Sequence, residues 1–273
     1  DIDADGDLDA FIGEYYGNTV FFHNTGTSAA PAFAAGSSDS PFGISTVGRY
    51  AAPVFADIDG DGLLDAFIGN RDGKTVFFHN TGTSAAPAFA AGSSAAPAAS
   101  STVGRYAAPV FADIDADGDL DAFIGNINGN TVFFENTGTS IAPDFSGGST
   151  TNPFGFADVG FTDLTGTAAP DFVDIDVDGD LDVFIGSNDG NTVFFQNTGT
   201  STAPDFSGGS TTNPFGISDV GRYADPVIAD IDGDGLLDAF IGNNDGNTVF
   251  FQNTGTSAVP AFAAGTPGGP ARP

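Results

Sequence analysis

The chain has 273 residues, with 36 acidic against 6 basic side chains (Arg49, Arg71, Lys74, Arg105, Arg222 and Arg272), a formal net charge of −30, no Cys, and 28 Phe among 40% hydrophobic residues. That balance argues against nucleic acid as a partner, since Lys and Arg must neutralise its phosphates, and the lack of Cys removes disulfides, thiol catalysis and thiolate metal sites together. With 39 Gly and 16 Pro breaking every stretch long enough for a helix, the chain is expected to be all-β.

It opens on DIDADGDLDAFIG at Asp1, and close copies begin at Asp57, Asp113, Asp174 and Asp230, at steps of 56, 56, 61 and 56 residues. The longer step comes from five extra residues in VGFTDLTGTAAPDF, where other copies read VGRYAAPVF or VGRYADPVI. One unit reads APVFAD, an acidic loop, LDAFIGN, a turn at RDG, TVFFHN, a turn at TGT and a last short run at PAFAA. These are four β-prone runs bounded by Gly, Asn, Asp and Pro. Four strands at this period fit a propeller blade better than a helical solenoid. In TVFFHN, Val76 and Phe78 on one face and Phe77 on the other are all apolar, as blades stacked face to face require. The reading is one repeat domain, 1–273, with repeats at approximately 1–48, 49–104, 105–165, 166–221 and 222–273, forming a β-propeller of about five four-stranded blades.

The two ends differ. Nothing precedes the first loop, and GTPGGPARP after the final PAFAA is too rich in Gly and Pro for an interior strand. Blade one is therefore expected to be incomplete, with the missing strand supplied from upstream of Asp1 or by a neighbouring copy, and the first loop to be the weakest metal site. There is no run of 18 apolar residues, and the first residues have neither a basic start nor an apolar core, so neither a membrane span nor a signal peptide is read.

Each acidic loop has the form D-x-D-x-D-G-x-x-D. The loops comprise Asp1, Asp3, Asp5, Asp7 and Asp9; Asp57, Asp59, Asp61, Leu63 and Asp65; Asp113, Asp115, Asp117, Asp119 and Asp121; Asp174, Asp176, Asp178, Asp180 and Asp182; and Asp230, Asp232, Asp234, Leu236 and Asp238. Side chains at positions 1, 3 and 5 of a tightly curled loop converge, Gly at position 6 permits the turn, and position 9 closes the shell with the hard oxygen ligands that suit Ca²⁺. Position 7 is Leu in two copies, so its contribution must be a backbone carbonyl. An EF-hand would need Glu at position 12, where every copy has Ile (Ile12, Ile68, Ile124, Ile185 and Ile241). Asp-Gly clusters also make plain turns, but five in-register copies carrying 23 carboxylates would repel one another strongly without a cation. About five Ca²⁺ ions are expected.

The loop DIDGDGLLD followed by AFIGN, after a Pro-containing strand such as APVFA, resembles the FG-GAP or VCBS-type repeat of integrin alpha-subunit propellers, some fungal lectins and many secreted bacterial proteins. The resemblance spans essentially the whole chain and implies a propeller with calcium in the loop joining the first and second strands of each blade. Integrin propellers have seven blades and a partner subunit, whereas five loops are visible here.

Nothing reads as catalytic. His23 and His79 share one repeat position with Glu135, Gln196 and Gln252, which makes them polar strand-end residues, and no nucleophile triad or phosphate loop is present. The off-loop acids Glu14, Asp39, Asp144, Asp158, Asp163 and Asp205 form no recognisable pair of the kind a glycosidase or lyase needs. Arg49, Arg105 and Arg222 recur in VGRY, as structural partners of carboxylates or backbone, or else as ligand readers. The function expected is a non-enzymatic extracellular or cell-surface adhesion or binding module for a surface glycan or protein, with Asn70, Asn126, Ser187 and Asn243 as polar groups on one rim. The alternative is a structural component of a surface layer, fibre or appendage that assembles with itself or within a larger complex. No direct membrane insertion is expected.

Overall fold

The computed structural model describes residues 1–37, 41–93, 103–159 and 167–267; Asp39, Asp163 and Arg272 lie outside them. The described residues fold into five antiparallel sheets. The first holds β1 (Ala10–Gly13) and β2 (Thr19–Phe22), and the second β3 (Ala52–Ala56), β4 (Asp65–Gly69) and β5 (Thr75–Phe78). The third holds β6 (Ala108–Ala112), β7 (Asp121–Gly125), β8 (Thr131–Phe134) and β9 (Thr150–Thr151). The fourth holds β10 (Ala169–Val173), β11 (Asp182–Gly186), β12 (Thr192–Phe195) and β13 (Thr211–Thr212); the fifth holds β14 (Asp225–Ala229), β15 (Asp238–Gly242), β16 (Thr248–Phe251) and β17 (Thr266–Pro267). Each sheet is a simple meander, and the register repeats: Pro53 faces Ile68, Pro109 faces Ile124, Pro170 faces Ile185 and Pro226 faces Ile241. Pro is tolerated there because the first strand pairs on one side only.

The strand count corrects the expectation of uniformly four-stranded blades. Among the described residues, three sheets have four strands, one has three and one has two. In the second sheet Phe77 bridges to Ser93, the last residue described before Val103, in the place that Thr150 takes opposite Phe133, so four sheets keep the four-strand plan. The outer strand also lies elsewhere than at PAFAA. Asn80 Oδ1 accepts the N–H groups of Gly82 and Ala88, and the Thr81 hydroxyl donates to the Ala88 carbonyl, so this segment folds back as a side-chain-latched turn. The chain then pairs with the third strand further on, at Thr150–Thr151, Thr211–Thr212 and Thr266–Pro267.

The sheets pack face to face as a β-propeller. Phe11 stacks on Phe55 of the next sheet at 4.2 Å between ring centroids, Phe67 on Phe111 at 4.3 Å and Phe123 on Phe172 at 4.3 Å. Covered on both faces, the second strands β4, β7 and β11 are buried along their whole length. Glycine ends the second strand because the next blade leaves no room for a side chain: a Cβ on Gly69 would lie 2.1 Å from the Ala107 carbonyl oxygen. No described helix is long and apolar enough to cross a membrane.

Candidate metal centres

The second to fifth acidic loops join the first strand of a sheet to its second, so a rigid hairpin presents each of them, while the first loop leads directly into β1. The position-4 residues of all five loops are left-handed, with φ of 59° at Ala4, 68° at Gly60, 57° at Ala116, 59° at Val177 and 70° at Gly233. Carboxylates hold this curl from within. In the second loop, Asp57 accepts the N–H groups of Asp61 (3.1 Å) and Gly62 (2.9 Å), and Asp61 accepts that of Leu63 (2.9 Å). The first, third and fourth loops repeat these contacts. In the fifth, Asp230 accepts from Gly233 and Gly235, and Asp234 from Leu236.

The position-9 carboxylates are anchored from outside the loop. One oxygen each of Asp9, Asp65, Asp121, Asp182 and Asp238 accepts the N–H of Asn24, Asn80, Asn136, Asn197 and Asn253, at 2.7–2.9 Å. The second oxygens of Asp65, Asp182 and Asp238 are buried without a partner, as is one oxygen each of Asp3, Asp59, Asp115 and Asp176 at position 3. Buried, unpaired carboxylate oxygens are costly. Burial pushes Asp121 and Asp182 up to about 7 and Asp238 up to about 6, against the backbone N–H bonds and with the help of neighbouring loop carboxylates. Asp65, Asp115 and Asp176 are pushed in the same direction, first by burial.

Three carboxylates converge, with ligand atoms within 4.8 Å of one another, at Asp1, Asp3 and Asp9, at Asp57, Asp59 and Asp61, and at Asp113, Asp115 and Asp117. Oxygen ligands of this kind fit a hard divalent cation, and two further groups add a histidine nitrogen: Asp3, Asp5 and His23, and Asp59, Asp65 and His79.

Sequence reasoning missed the side chains above the loops. His79 Nδ1 lies 3.1 Å from Asp65 Oδ1, and His23 Nε2 lies 3.4 Å from both Asp3 and Asp5. Gln196 donates to Asp176 at 3.1 Å and Gln252 to Asp232 at 3.2 Å. This repeat position overhangs the acid cluster, and the signal was its confinement to polar residues. Two acids that depart from the repeat were also missed. Asp171 and Asp225 stand on neighbouring first strands where other copies have Val and Ala; burial, helped by the nearby Asp225 carboxylate, pushes Asp171 up to about 7, while Asp225 itself is exposed. Asp171 accepts the Ile228 N–H at 2.7 Å and so spans two blades.

The rim asparagines are not free for a ligand. Asn70, Asn126 and Asn243 donate to the carbonyls of Val47, Val103 and Val220 at 2.9, 2.9 and 2.7 Å, latching the VGRY segments; the Ser187 hydroxyl is held by Asp189 and the Asn191 carbonyl. Nor do Arg49, Arg105 and Arg222 pair with carboxylates: among the described residues every ion pair belongs to His23 or His79. A family model described as an FG-GAP-like repeat matches residues 1–68, 57–124 and 174–241. No curated protein matches the chain.

Proposed function

The chain belongs to the FG-GAP-like repeat family, and from that premise we propose that it is an extracellular, calcium-stabilised five-bladed propeller that binds a surface glycan or protein without chemical turnover. The observation that carries the cation is the recurrence of buried, unpartnered oxygens at positions 3 and 9 of the loops. Calcium held by positions 1, 3, 5 and 9, with the position-7 carbonyl, would neutralise those oxygens and tie each loop to its blade.

Ring closure draws support from a matching pair of contacts. A Cβ on Gly60 would lie 3.3 Å from the Ser140 carbonyl oxygen and the Ile141 side chain in the next blade, and one on Gly233 would lie 3.5 Å from Ser28 Cβ in the first sheet. The fifth loop thus meets the first sheet much as the second loop meets the third.

Binding draws support from a cleft of about 390 Å³ between the fourth and fifth sheets, lined by Asp176, Phe194, Gln196, Phe215 and Pro260. Apolar walls with a few convergent polar groups are the usual make-up of a small-ligand site. A glycan array probed with the full chain in calcium tests this reading. Bound glycans lost on Gln196→Ala support it; no ligand at millimolar concentration, with self-assembly at high protein concentration, overturns it in favour of a structural spacer.

A further inference from the structure

At the end of the propeller opposite the acidic loops, the chain gathers all five of its tyrosines. Each VGRY segment enters a first strand whose far end runs into an acidic loop, so the two sets of residues lie a strand length apart. Tyr15 meets Tyr50 at 4.8 Å and Tyr16 at 5.1 Å between ring centroids, and Tyr50 meets Tyr106 at 4.9 Å. Burial and the neighbouring Tyr106, Tyr15 and Tyr223 push the Tyr50 hydroxyl upward. The arginines share this end: Arg49 lies 5.4 Å from the Tyr15 ring centroid, Arg105 5.3 Å from that of Tyr106 and Arg222 5.5 Å from that of Tyr223. In a chain of net charge −30, none of these guanidinium groups has a carboxylate within ion-pair distance among the described residues.

The backbone beneath is fixed in advance. Arg71 N–H donates to the Arg49 carbonyl (2.8 Å) while the Arg71 carbonyl accepts from Tyr106 N–H (3.0 Å), and Tyr50 N–H donates to the Tyr15 carbonyl (3.0 Å), so hydrogen bonds lace the blades together. Tyr50, Tyr106 and Tyr223 are held at φ of 57°, 58° and 60°. Bulky residues are uncommon in this region. The left-handed Phe154 and Phe215 have a packing reason, since they sit against Phe133 and Phe194 in the core. Tyr15 and Tyr50 instead remain 40% and 37% exposed, and Tyr16 70%.

We propose that this tyrosine–arginine pole binds a carboxylate-bearing sugar, with the tyrosine rings stacking on pyranose faces and Arg49 and Arg105 pairing with the uronate carboxylate. The inference rests on the glycan reading above and assigns it a second site and an acidic ligand class. Guanidinium groups pair with carboxylates in a two-pronged geometry. The pole's exposed apolar surface is aromatic, whereas the exposed aliphatic residues Leu8, Ile141, Val177, Val227 and Val259 lie elsewhere, which favours flat sugar faces over the aliphatic side chains of a peptide. The acidic loops do not forbid an anion here. A first strand of 5 residues spans about 17 Å, twice the Debye length of about 8 Å at physiological ionic strength.

The test uses the full chain at constant calcium and three probes: a hexasaccharide of alternating glucuronate and N-acetylglucosamine, its carboxyl-reduced counterpart, and an oligo-glutamate of equal charge. The acidic hexasaccharide should bind, with losses of ~10-fold or more on carboxyl reduction, in Arg49→Gln/Arg105→Gln and in Tyr16→Ala, while thermal midpoints confirm that the variants fold. Equal binding of the reduced sugar, or oligo-glutamate binding as tightly and regardless of Tyr16, would overturn the assignment. A glycan bound by the arginine variant but lost on Gln196→Ala would sink this inference and leave the cleft reading standing; failure of every glycan would sink both.

Discussion

Replacing Asp121 by Asn removes one charge from the third loop while leaving an oxygen to accept the Asn136 N–H, which Asp121 now binds at 2.7 Å. The side chain is 3% exposed, and burial lifts its carboxyl from 3.8 to about 7. At ~1.36 kcal/mol per pH unit, charging it in the folded, cation-free chain costs about 4 kcal/mol. Between those two values the folded chain holds a proton that the unfolded chain has released, so cation-free stability falls as pH rises from about 4 through about 7. Asp121→Asn removes that share of the slope. In chelator at pH 8 it should be more stable than the parent by roughly 2 kcal/mol, about half the charging cost because Asn is itself buried, or ~4–8 °C in midpoint. With calcium the order should reverse, since the variant has lost a ligand. Thermal melts of both proteins, with calcium and with chelator, between pH 5 and 8 read the crossing. A variant less stable than the parent in chelator at pH 8 would show that the loop carries no unrelieved charge, and the reasoning would fail.

Asp121→Ala should abolish calcium at the third loop while Asp119→Leu, which copies Leu63 and Leu236, leaves it intact; equal losses by equilibrium dialysis would mean that position 7 binds through its side chain. Gly69→Ala forces a Cβ to within 2.1 Å of the Ala107 carbonyl oxygen and should lower stability by about 3 kcal/mol, whereas Gly62→Ala, with nothing within 4 Å but φ of 85°, should cost only about 1 kcal/mol; denaturant melts compare them. Asn126→Ala frees the Val103 carbonyl and should cost about 1–2 kcal/mol, with faster amide exchange in the Arg105–Tyr106 segment as its local signature.

Much of the architecture was legible because the repeat carries it. The Asp spacing, the AFIG strand and the TVFF strand follow from period and alternation, and each appears in register in every sheet. The outer strand was not legible. PAFAA looks β-prone, but the preceding Asn and Thr side chains bind its backbone and turn it back, and the true outer strand is two residues, Thr-Thr or Thr-Pro, with no alternation to detect. The acidic loops were readable from the Asp spacing, down to the convergence of carboxylates at Asp1, Asp3 and Asp9. Their overhang by His23, His79, Gln196 and Gln252 was not, since whether a strand-end side chain reaches a loop depends on the hairpin's twist. The VGRY recurrence was visible, yet its role needed the backbone: left-handed tyrosines turn the rings toward each other and draw the arginines onto them instead of onto carboxylates. Asp171 and Asp225 passed as ordinary strand residues because only the juxtaposition of neighbouring first strands brings their charges together.

The most direct test of the account is calcium itself. Five sites that bind only the folded chain would each add about 2.7 kcal/mol at a hundredfold excess of calcium over the dissociation constant. Titration calorimetry joined to thermal melts should therefore find five calcium ions per chain, a midpoint that climbs with calcium concentration and a large drop in chelator. A midpoint unmoved by calcium or chelator, with no calcium bound, would contradict the account at its centre.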